Sequence, residues 1–326
     1  MLSAYLSLIR VDHWPKNLVI FFGAGFSFIV LDLPSELTWN LLWKFIIGFI
    51  GMCLASSANY VMNEYLDSQS DSYHPRKKSR ASVQNKFSPV VISLIYLLLI
   101  SSTFGILAML SVDVSRPLTI VVITYFFFGV IYNVRPLRAK DFRYWDVIIE
   151  SANNPIRLLF GWLLLSPETF PPFSLLLCFW SIGVFLMSSK RLAEFTELSL
   201  QLSREELGHY RKSLSKYTRN TLLILIVTSA QISAALLIVF ALKYNSEFVF
   251  FFIIHTLWTS YFFTQIFDAN SVAQAPEKLV QDKSVAFFAF GMFITLSLAY
   301  LDIPVVEQIN NLLNSRVLDR NEIFRW

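Results

Sequence analysis

The sequence predicts an all-α, polytopic membrane protein, and two observations lead to this fold class. Hydrophobic residues make up 55% of the 326 residues, whereas charged residues make up only 15%. A chain this apolar does not have the composition of a soluble domain, and it is too long for a single membrane anchor. The polar residues are gathered in a few segments that separate long apolar stretches. We therefore predict a bundle of about nine transmembrane helices joined by polar loops.

The helix positions follow from the lengths of the apolar stretches. About 20 apolar residues span the hydrocarbon core of a bilayer. Stretches of this kind occur at residues 17–32, 42–62, 90–112, 117–132, 144–165, 172–188, 221–242, 246–266 and 285–303. The fifth stretch differs because it contains Glu150 and Arg157, and ionisable groups inside a membrane normally face a cavity or each other. We expect Arg157 either to pair with Glu150 or to line a substrate groove.

The two ends of the chain are predicted to lie at the membrane surface. Residues 1–16 lack the basic and apolar regions of a secretory signal and are typical of an interfacial segment. Residues 1–303 are expected to form one transmembrane domain, and residues 304–326 a tail with an amphipathic helix. Cys53 and Cys178 both fall inside predicted spans, so no disulfide framework is expected.

The distribution of cations predicts the orientation of the chain. Most of the 27 Lys and Arg residues fall in the segments 63–89, 133–143 and 189–220, which lie on one side of the predicted bundle. The positive-inside rule assigns that side to the cytoplasm. The net charge of +4 follows largely from this bias. We therefore expect anionic lipid headgroups and phosphorylated substrates as partners, and no nucleic acid.

A first polar motif follows the second predicted span. Asn63, Asp67 and Asp71 recur every four residues, so on a helix they share one face and can present oxygens to Mg²⁺. Cations follow directly in the segment from His74 to Arg80. Carboxylates that hold a metal, beside cations that hold phosphate, are what a diphosphate leaving group requires.

A second polar motif follows the sixth span, and a third segment follows the fourth. Lys190 and Glu194 are one helical turn apart, and Arg191 lies three residues before Glu194, so this segment can bring cations and carboxylates together. The segment from Tyr132 to Asp146 is also polar. Polar motifs at the same ends of spans two, four and six predict a single cavity between them.

These motifs resemble those of the UbiA superfamily of intramembrane prenyltransferases, whose first motif is NDxxDxxxD. The sequence is most similar to the branch of polyprenyl-phosphate phosphoribosyltransferases. The matching segments are Arg10 to Asn17 (RPxxWxKN), Asn63 to Arg80 (NDxxDxxxDxxHPxKxxRP), Tyr132 to Lys140, Lys190 to Glu194 (KRxAE) and Tyr210 to Tyr217 (RKSLxxYT). Glu64 stands where the family has Asp, and Ala81 stands where it has Pro.

The resemblance implies a nine-helix bundle with a cavity open to lipid, and Mg²⁺ and diphosphate at its cytoplasmic mouth. The implied reaction is Mg²⁺-dependent transfer of 5-phosphoribosyl from phosphoribosyl pyrophosphate to a polyprenyl phosphate, with release of diphosphate. The implied metal ligands are Asn63, Glu64, Asp67 and Asp71. The implied catalytic residues are Asp67, Asp71, Lys190, Arg191 and Glu194. The implied substrate-binding residues are Lys16, Asn17, Lys77, Arg80, Tyr132, Arg138, Lys140, Arg157, Arg211 and Lys212.

Two other functions remain open at this stage. An ordinary prenyltransferase of the superfamily would move a polyprenyl group from an allylic diphosphate to an aromatic acceptor. A lipid transporter or a non-catalytic lipid-binding protein is the other alternative. The sequence KRLAE has more cations and fewer carboxylates than the usual second motif, which favours a site for two phosphorylated substrates. We expect the protein in a bacterial inner membrane with the site facing the cytoplasm. The oligomeric state stays open.

Overall fold

The protein was analysed as a computed structural model that describes residues 2–33, 38–267, 283–301, 303 and 305–314. These residues form helices and connecting turns and contain no β-strand. The α-helices are α1 (Leu2–Ser7), α2 (Val19–Val30), α3 (Trp39–Asp71), α4 (Ala81–Gln84), α5 (Pro89–Leu107), α6 (Val112–Asn133), α7 (Trp145–Ser151), α8 (Asn153–Leu165), α9 (Phe173–Leu198), α10 (Arg204–Tyr210), α11 (Arg219–Tyr244), α12 (Val249–Gln265), α13 (Lys283–Tyr300) and α14 (Val305–Asn314).

The predicted fold class is confirmed: the chain is an all-α integral membrane protein. Within the described residues, α3, α5, α6, α9, α11 and the helical segment that includes α12 are long and apolar enough to cross a membrane. The other three predicted spans correspond to α2, to α7 with α8, and to α13. The count of nine spans is therefore approximate, because α2 and α8 are short.

The fifth predicted span is divided into two helices. α7 ends at Ser151 and α8 begins at Asn153. Pro155 lies in the first turn of α8, and proline has no backbone N–H to donate to the carbonyl four residues earlier. A continuous apolar stretch therefore predicts one helix here, and the proline explains why the structure has two.

α3 extends beyond the membrane core. Its N-terminus is capped by Thr38, whose side chain accepts a hydrogen bond from the N–H of Leu41 at 3.2 Å. The helix has 33 residues, which at 1.5 Å per residue is about 50 Å. A hydrocarbon core is about 30 Å thick, so the polar turns that follow Tyr60 project past it. The same reasoning applies to α9, which has 26 residues.

The helices α2 and α8 cross at two glycines. A Cβ atom at Gly23 would overlap the carbonyl oxygen of Leu158, and a Cβ atom at Gly161 would overlap the carbonyl oxygen of Ile20. Only glycine allows two helix backbones to approach this closely. This crossing brings α8 against the segment that precedes α2, which includes Asn17.

The charged elements meet at one end of the bundle, which we call the polar end. It comprises the C-terminal turns of α3, the loop 72–80, the loop 134–144, the C-terminal turns of α9, and the segment 204–217 that contains α10. At the opposite end, the N–H of Val306 in α14 donates to Oε1 of Glu247 at 3.1 Å. Of the predicted tail 304–326, residues 315–326 lie outside the described residues.

Candidate active site

The carboxylates of α3 are held in two groups by cations from the loops. Nζ of Lys140 contacts a carboxylate oxygen of Asp67 and lies 3.4 Å from Oδ1 of Asn63. Nη1 of Arg80 lies 3.0 Å from Oδ2 of Asp71 and 3.1 Å from Oε1 of Glu64. The four residues predicted as metal ligands therefore lie near one another, but they divide into two cation-bridged pairs.

Glu64 also ties the N-terminal segment to the polar end. Its Oε1 accepts a hydrogen bond from Nη1 of Arg10 at 2.7 Å, and its Oε2 accepts one from the hydroxyl of Ser82 at 2.9 Å. Arg80 also donates to Oε1, so both carboxylate oxygens of Glu64 have hydrogen-bond donors. Glu64 is thus engaged in joining three chain segments, and its longer side chain, compared with the Asp of the motif, reaches them.

Lys140 is buried beneath the loop 134–144. Its Nζ lies 2.8 Å from Oδ1 of Asn133 and contacts Asp67. Burial lowers the pKa of Lys140, and the contact with Asp67 offsets only part of this shift. Nη2 of Arg138 approaches the same carboxylate at 3.4 Å. Asp67 therefore has a positively charged environment, which keeps it ionised next to any anionic ligand.

A small cavity at the polar end lies beside these carboxylates. It is lined by Asp67, Ser70, Asp71, Arg138, Lys140, Asp141, Tyr210 and Arg211. In the described part of the chain, no three His, Cys, Asp or Glu side chains are gathered as a ready metal site. Mg²⁺ does not need such a group, since it usually binds one or two carboxylates and completes its shell with water and substrate phosphates. Asp67 and Asp71, which share this cavity, fit that donor set.

The loop 72–80 is shaped by His74. Its Nδ1 accepts hydrogen bonds from the backbone N–H groups of Arg76 and Lys77, at 3.1 and 3.4 Å. Burial and the nearby Lys77 ammonium lower the pKa of His74 to about 4, so the ring is neutral at pH 7 and remains an acceptor. The turn directs Lys77 towards α9, where its Nζ lies 3.4 Å from Oε1 of Glu194 and contacts the hydroxyl of Tyr210.

Lys77 connects the loop after α3 to the helices α9 and α10. It comes from the loop after α3, whereas Glu194 belongs to α9 and Tyr210 to α10. Burial lowers the pKa of Lys77, but the contacts with Tyr210, Glu194 and Asp71 more than reverse this, so its pKa lies above the usual lysine range. Tyr210 in turn donates to Glu194 at 3.2 Å. A positive charge is therefore fixed next to Asp71 and Tyr210, which line the cavity.

Arg191 is surrounded by carboxylates. Its Nε lies 3.0 Å from Asp146, its Nη1 lies 2.9 Å from Glu194, and its Nη2 lies 3.2 Å from Glu150. Only 1% of its side chain is exposed. The hydroxyl of Tyr132 donates to Glu150 at 2.6 Å and completes the group. The charge of Arg191 is thus neutralised within the protein.

Two other cations of the polar end have no such partner. Among the described residues, neither Lys190 nor Arg211 has a carboxylate within 4 Å. Arg211 donates from Nη1 to the hydroxyl of Tyr132 at 3.2 Å, and its buried Nε has no hydrogen-bond partner in the described part of the chain. Glu194 and Asp67 act on Arg211 from more than 4 Å away, so its charge is partly compensated. No ion pair occupies the guanidinium in the described part of the chain, which leaves it able to bind a phosphate oxygen.

The remaining predicted site residues lie elsewhere. Nζ of Lys16 lies 3.4 Å from Nδ1 of His13. Asn17 is fully buried, and its Oδ1 accepts from Nε of Arg157 at 2.7 Å. Arg157 also donates to the hydroxyl of Tyr125 at 3.3 Å. The expected pair of Arg157 with Glu150 is therefore wrong, because Glu150 contacts Arg191 instead. The side chain of Lys212 is 60% exposed and lies 3.8 Å from Asp141.

Some residues that make the contacts of the polar end are absent from the predicted site. Tyr210 contacts Lys77 and Glu194, Arg10 contacts Glu64, and Asp146 contacts Arg191. Arg10 and Tyr210 stand at the edges of matched motifs, which is a signal that could have included them. Asp146 lies 45 residues before Arg191 in the chain, so only the fold reveals their contact.

Comparison with protein families identifies a relationship that covers most of the chain. A family model described as the UbiA prenyltransferase family matches residues 18–290. A decaprenyl-phosphate phosphoribosyltransferase from Mycolicibacterium smegmatis is 26% identical over 232 residues, which cover 68% of this chain and 65% of that protein. Nodulation protein NoeC from Azorhizobium caulinodans is 26% identical over 197 residues, which cover 60% of this chain and 58% of that protein. The chain thus spans less than two thirds of the length of these relatives.

Solved structures share the fold. A UbiA homologue from Archaeoglobus fulgidus, solved with DMAPP and Mg²⁺, has a TM-score of 0.65 at 12% identity, covering 90% of this chain and 99% of that one. A digeranylgeranylglyceryl phosphate synthase structure has a TM-score of 0.56 at 15% identity, covering 92% and 96%. At these identities the likeness is one of fold, with the helices superposed over nearly the whole chain.

Proposed function

The chain belongs to the UbiA prenyltransferase family, and on this premise we propose that it transfers 5-phosphoribosyl from phosphoribosyl pyrophosphate to a polyprenyl phosphate. The reaction releases diphosphate and uses Mg²⁺. The observation that carries the proposal is Arg211, which has no carboxylate within 4 Å among the described residues and borders the same cavity as the carboxylates Asp67 and Asp71. A site with both features suits a substrate that carries several phosphate groups.

The relatives support the same choice of donor. The Mycolicibacterium smegmatis protein is named a decaprenyl-phosphate phosphoribosyltransferase, and its similarity covers two thirds of this chain. The second polar motif here is Lys190 to Glu194, with two adjacent cations and one carboxylate. Because both proposed substrates are anionic, additional cations stabilise them more than additional carboxylates would.

In the proposed reaction, Asp67 and Asp71 would hold Mg²⁺, which when bound would supply positive charge against the departing diphosphate. Lys77, Lys190 and Arg211 bind the phosphate oxygens of the donor and fix its orientation. The bond between ribose C1 and the diphosphate oxygen breaks, and its electron pair leaves with diphosphate. The lipid phosphate oxygen forms the new bond to C1 from the opposite face. No protein nucleophile is required, since the acceptor is already an anion.

The charge network of the polar end keeps these groups in their ionised forms. Lys77 stays protonated because Tyr210 and Glu194 raise its pKa. Lys140 and Arg138 keep Asp67 surrounded by positive charge. We propose that this end faces the cytoplasm of a bacterial inner membrane, since its loops are rich in Lys and Arg and the donor is water-soluble.

A second candidate is transfer of a prenyl group from an allylic diphosphate to an aromatic acceptor. The observation that favours it is the shared fold with the Archaeoglobus fulgidus homologue, which was solved with DMAPP and Mg²⁺. The carboxylates Asp67 and Asp71 serve such a diphosphate equally well. They do not by themselves distinguish the two donors.

The test is a direct comparison of donors. Purified protein with Mg²⁺ is given either labelled phosphoribosyl pyrophosphate and a polyprenyl phosphate, or an allylic diphosphate and an aromatic acid, and the lipid products are identified by mass. We expect a polyprenyl phosphate carrying one added phosphoribosyl group, together with released diphosphate. The variant Asp67→Asn is the control for background reaction. A prenylated aromatic product in place of the phosphoribosyl lipid would overturn the proposal.

A further inference from the structure

Asp146, in the first turn of α7, is a buried carboxylate that joins three elements. Its Oδ1 accepts a hydrogen bond from the hydroxyl of Tyr217 at 2.7 Å. Its Oδ2 accepts from the hydroxyl of Ser213 at 2.9 Å and from Nε of Arg191 at 3.0 Å. Asp146, Ser213 and Tyr217 have no exposed surface. A carboxylate without water is stable only when donors surround it, and these donors do so.

The side chains of the segment 211–217 point to different surroundings: the buried Asp146, the small cavity and the outer surface. Ser213 and Tyr217 point inward to Asp146, and Tyr217 additionally accepts the backbone N–H of Tyr144 at 2.8 Å. Arg211 reaches the hydroxyl of Tyr132 and borders the small cavity. Lys212 lies on the outer side, where most of its side chain is exposed. The register of the segment on α7 thus decides which cation faces the cavity.

Apolar contacts alone do not fix this register. Leu198, Leu207, Tyr210 and Leu214 form a small apolar cluster beneath the segment. Apolar burial is non-directional, so it holds the segment against the bundle but tolerates sliding or rotation. Hydrogen bonds at 2.7 and 2.9 Å to one buried carboxylate are directional, and they require Ser213 and Tyr217 in their present places.

We propose that Asp146 is a positioning residue that docks the segment 211–217 so that Arg211 faces the cavity and binds the phosphorylated donor. Asp146 itself touches no substrate in this role. It acts through Ser213 and Tyr217, and it links them to Arg191 of α9. The donor's identity in this inference rests on the proposed function, whereas the docking role depends only on the geometry.

The best variants remove the anchoring donors and leave the carboxylate paired. Ser213→Ala and Tyr217→Phe each delete a hydroxyl that donates to Asp146, and neither disturbs the ion pair of Asp146 with Arg191. Ser215→Ala is the matched control, because among the described residues the Ser215 hydroxyl donates only to the carbonyl of Lys212, within the same segment. The variants are compared with the full-length wild-type protein, in detergent.

Two measurements are made on each variant. Hydrogen exchange followed by mass spectrometry reports the protection of residues 204–217. Steady-state kinetics gives kcat and the KM of the donor and of the lipid acceptor separately. In the double variant, which combines Ser213→Ala and Tyr217→Phe, we expect faster exchange confined to this segment. We also expect a donor KM raised by about tenfold, which corresponds to about 1.4 kcal/mol of binding free energy. The KM of the lipid acceptor should stay within about twofold, and Ser215→Ala should match the wild type.

The outcomes separate the docking role from the choice of donor. Unchanged exchange in the double variant would overturn the docking role. Faster exchange with an unchanged donor KM would overturn the link to donor binding. If the wild-type protein uses an allylic diphosphate and not the phosphoribosyl donor, the proposed function fails, and the same KM comparison made with that diphosphate then decides the positioning role.

Discussion

The ends of α3 and α9 occupy equivalent places at the polar end but have opposite charge arrangements. On α3, the helix supplies the carboxylates Asp67 and Asp71, and the loops supply the cations around them. On α9, the helix supplies the cation Arg191, and three carboxylates surround it. The carboxylates of α3 border a cavity, whereas Arg191 has almost no exposed surface.

This difference indicates that the polar motifs of α3 and α9 have different functions, although both combine cations and carboxylates in the sequence. The ion pairs of α3 lie beside a cavity, so a ligand can exchange with them. On α9, the pairs of Arg191 with Asp146 and Glu194 are buried, so breaking them leaves buried charges without partners. We therefore interpret the end of α3 as a binding site, and Arg191 as the centre of the network that supports it. Substitutions at each end test this interpretation.

The largest expected effect is at α3. Asp67→Asn or Asp71→Asn should abolish turnover, because a neutral amide of the same shape does not hold Mg²⁺ as a carboxylate does. The melting temperature should stay close to that of the wild type. Activity assays with the purified variants give the turnover, and thermal unfolding gives the melting temperature.

Asp113→Asn is the matched control, since this exposed aspartate lies in the first turn of α6. Its variant should retain wild-type activity. Full turnover by either α3 variant would remove the metal assignment.

An intermediate effect is expected at α9. Arg191→Ala should lower activity by about two orders of magnitude, which corresponds to roughly 3 kcal/mol. Unlike the α3 variants, it should also destabilise the fold, because three carboxylates lose their partner. Arg191→Lys should recover only part of both properties, since an ammonium cannot contact three carboxylates in this fixed geometry. A variant that loses activity at an unchanged melting temperature would instead indicate direct contact with substrate.

The smallest effect separates two neighbouring cations. Arg211→Ala should raise the donor KM by about tenfold, because its guanidinium borders the cavity and has no carboxylate partner. Lys212→Ala should change it by less than about twofold, because exposed charges are screened by solvent and salt. Donor titrations at low and at high salt should show stronger salt dependence for the wild type than for Arg211→Ala. Equal effects of the two substitutions would contradict the orientation of this segment.

The helices were largely predictable from the sequence, since a membrane span is defined by its length and apolarity. The polar turns of α3 were predictable as well, because residues four apart share a helix face whatever the tertiary structure. The break between α7 and α8 was not predicted, although Pro155 is visible in the sequence. Hydropathy does not distinguish one helix from two, and it is the backbone donor lost at proline that divides them.

The partners of the buried cations were beyond the reach of the sequence. Arg191 contacts Asp146, which lies 45 residues away, and Arg157 contacts Asn17, which lies 140 residues away. Such pairs depend on how the helices pack, and a single sequence does not encode packing in any short-range pattern. The same limit applies to Lys212, which stands next to Arg211 in the motif but faces the other way in the structure.

The N-terminal segment has a consequence for the biogenesis of the protein. It is synthesised before its partners: Arg10 contacts Glu64, Trp14 contacts Ser57, and the buried Asn17 contacts Arg157. The last of these partners leaves the ribosome only after half of the spans have been made. The contact between Asn17 and Arg157 can therefore form only after α8 has been made. Residues 10–17 thus complete their packing later than the synthesis of the helices α2 to α8 that follow them.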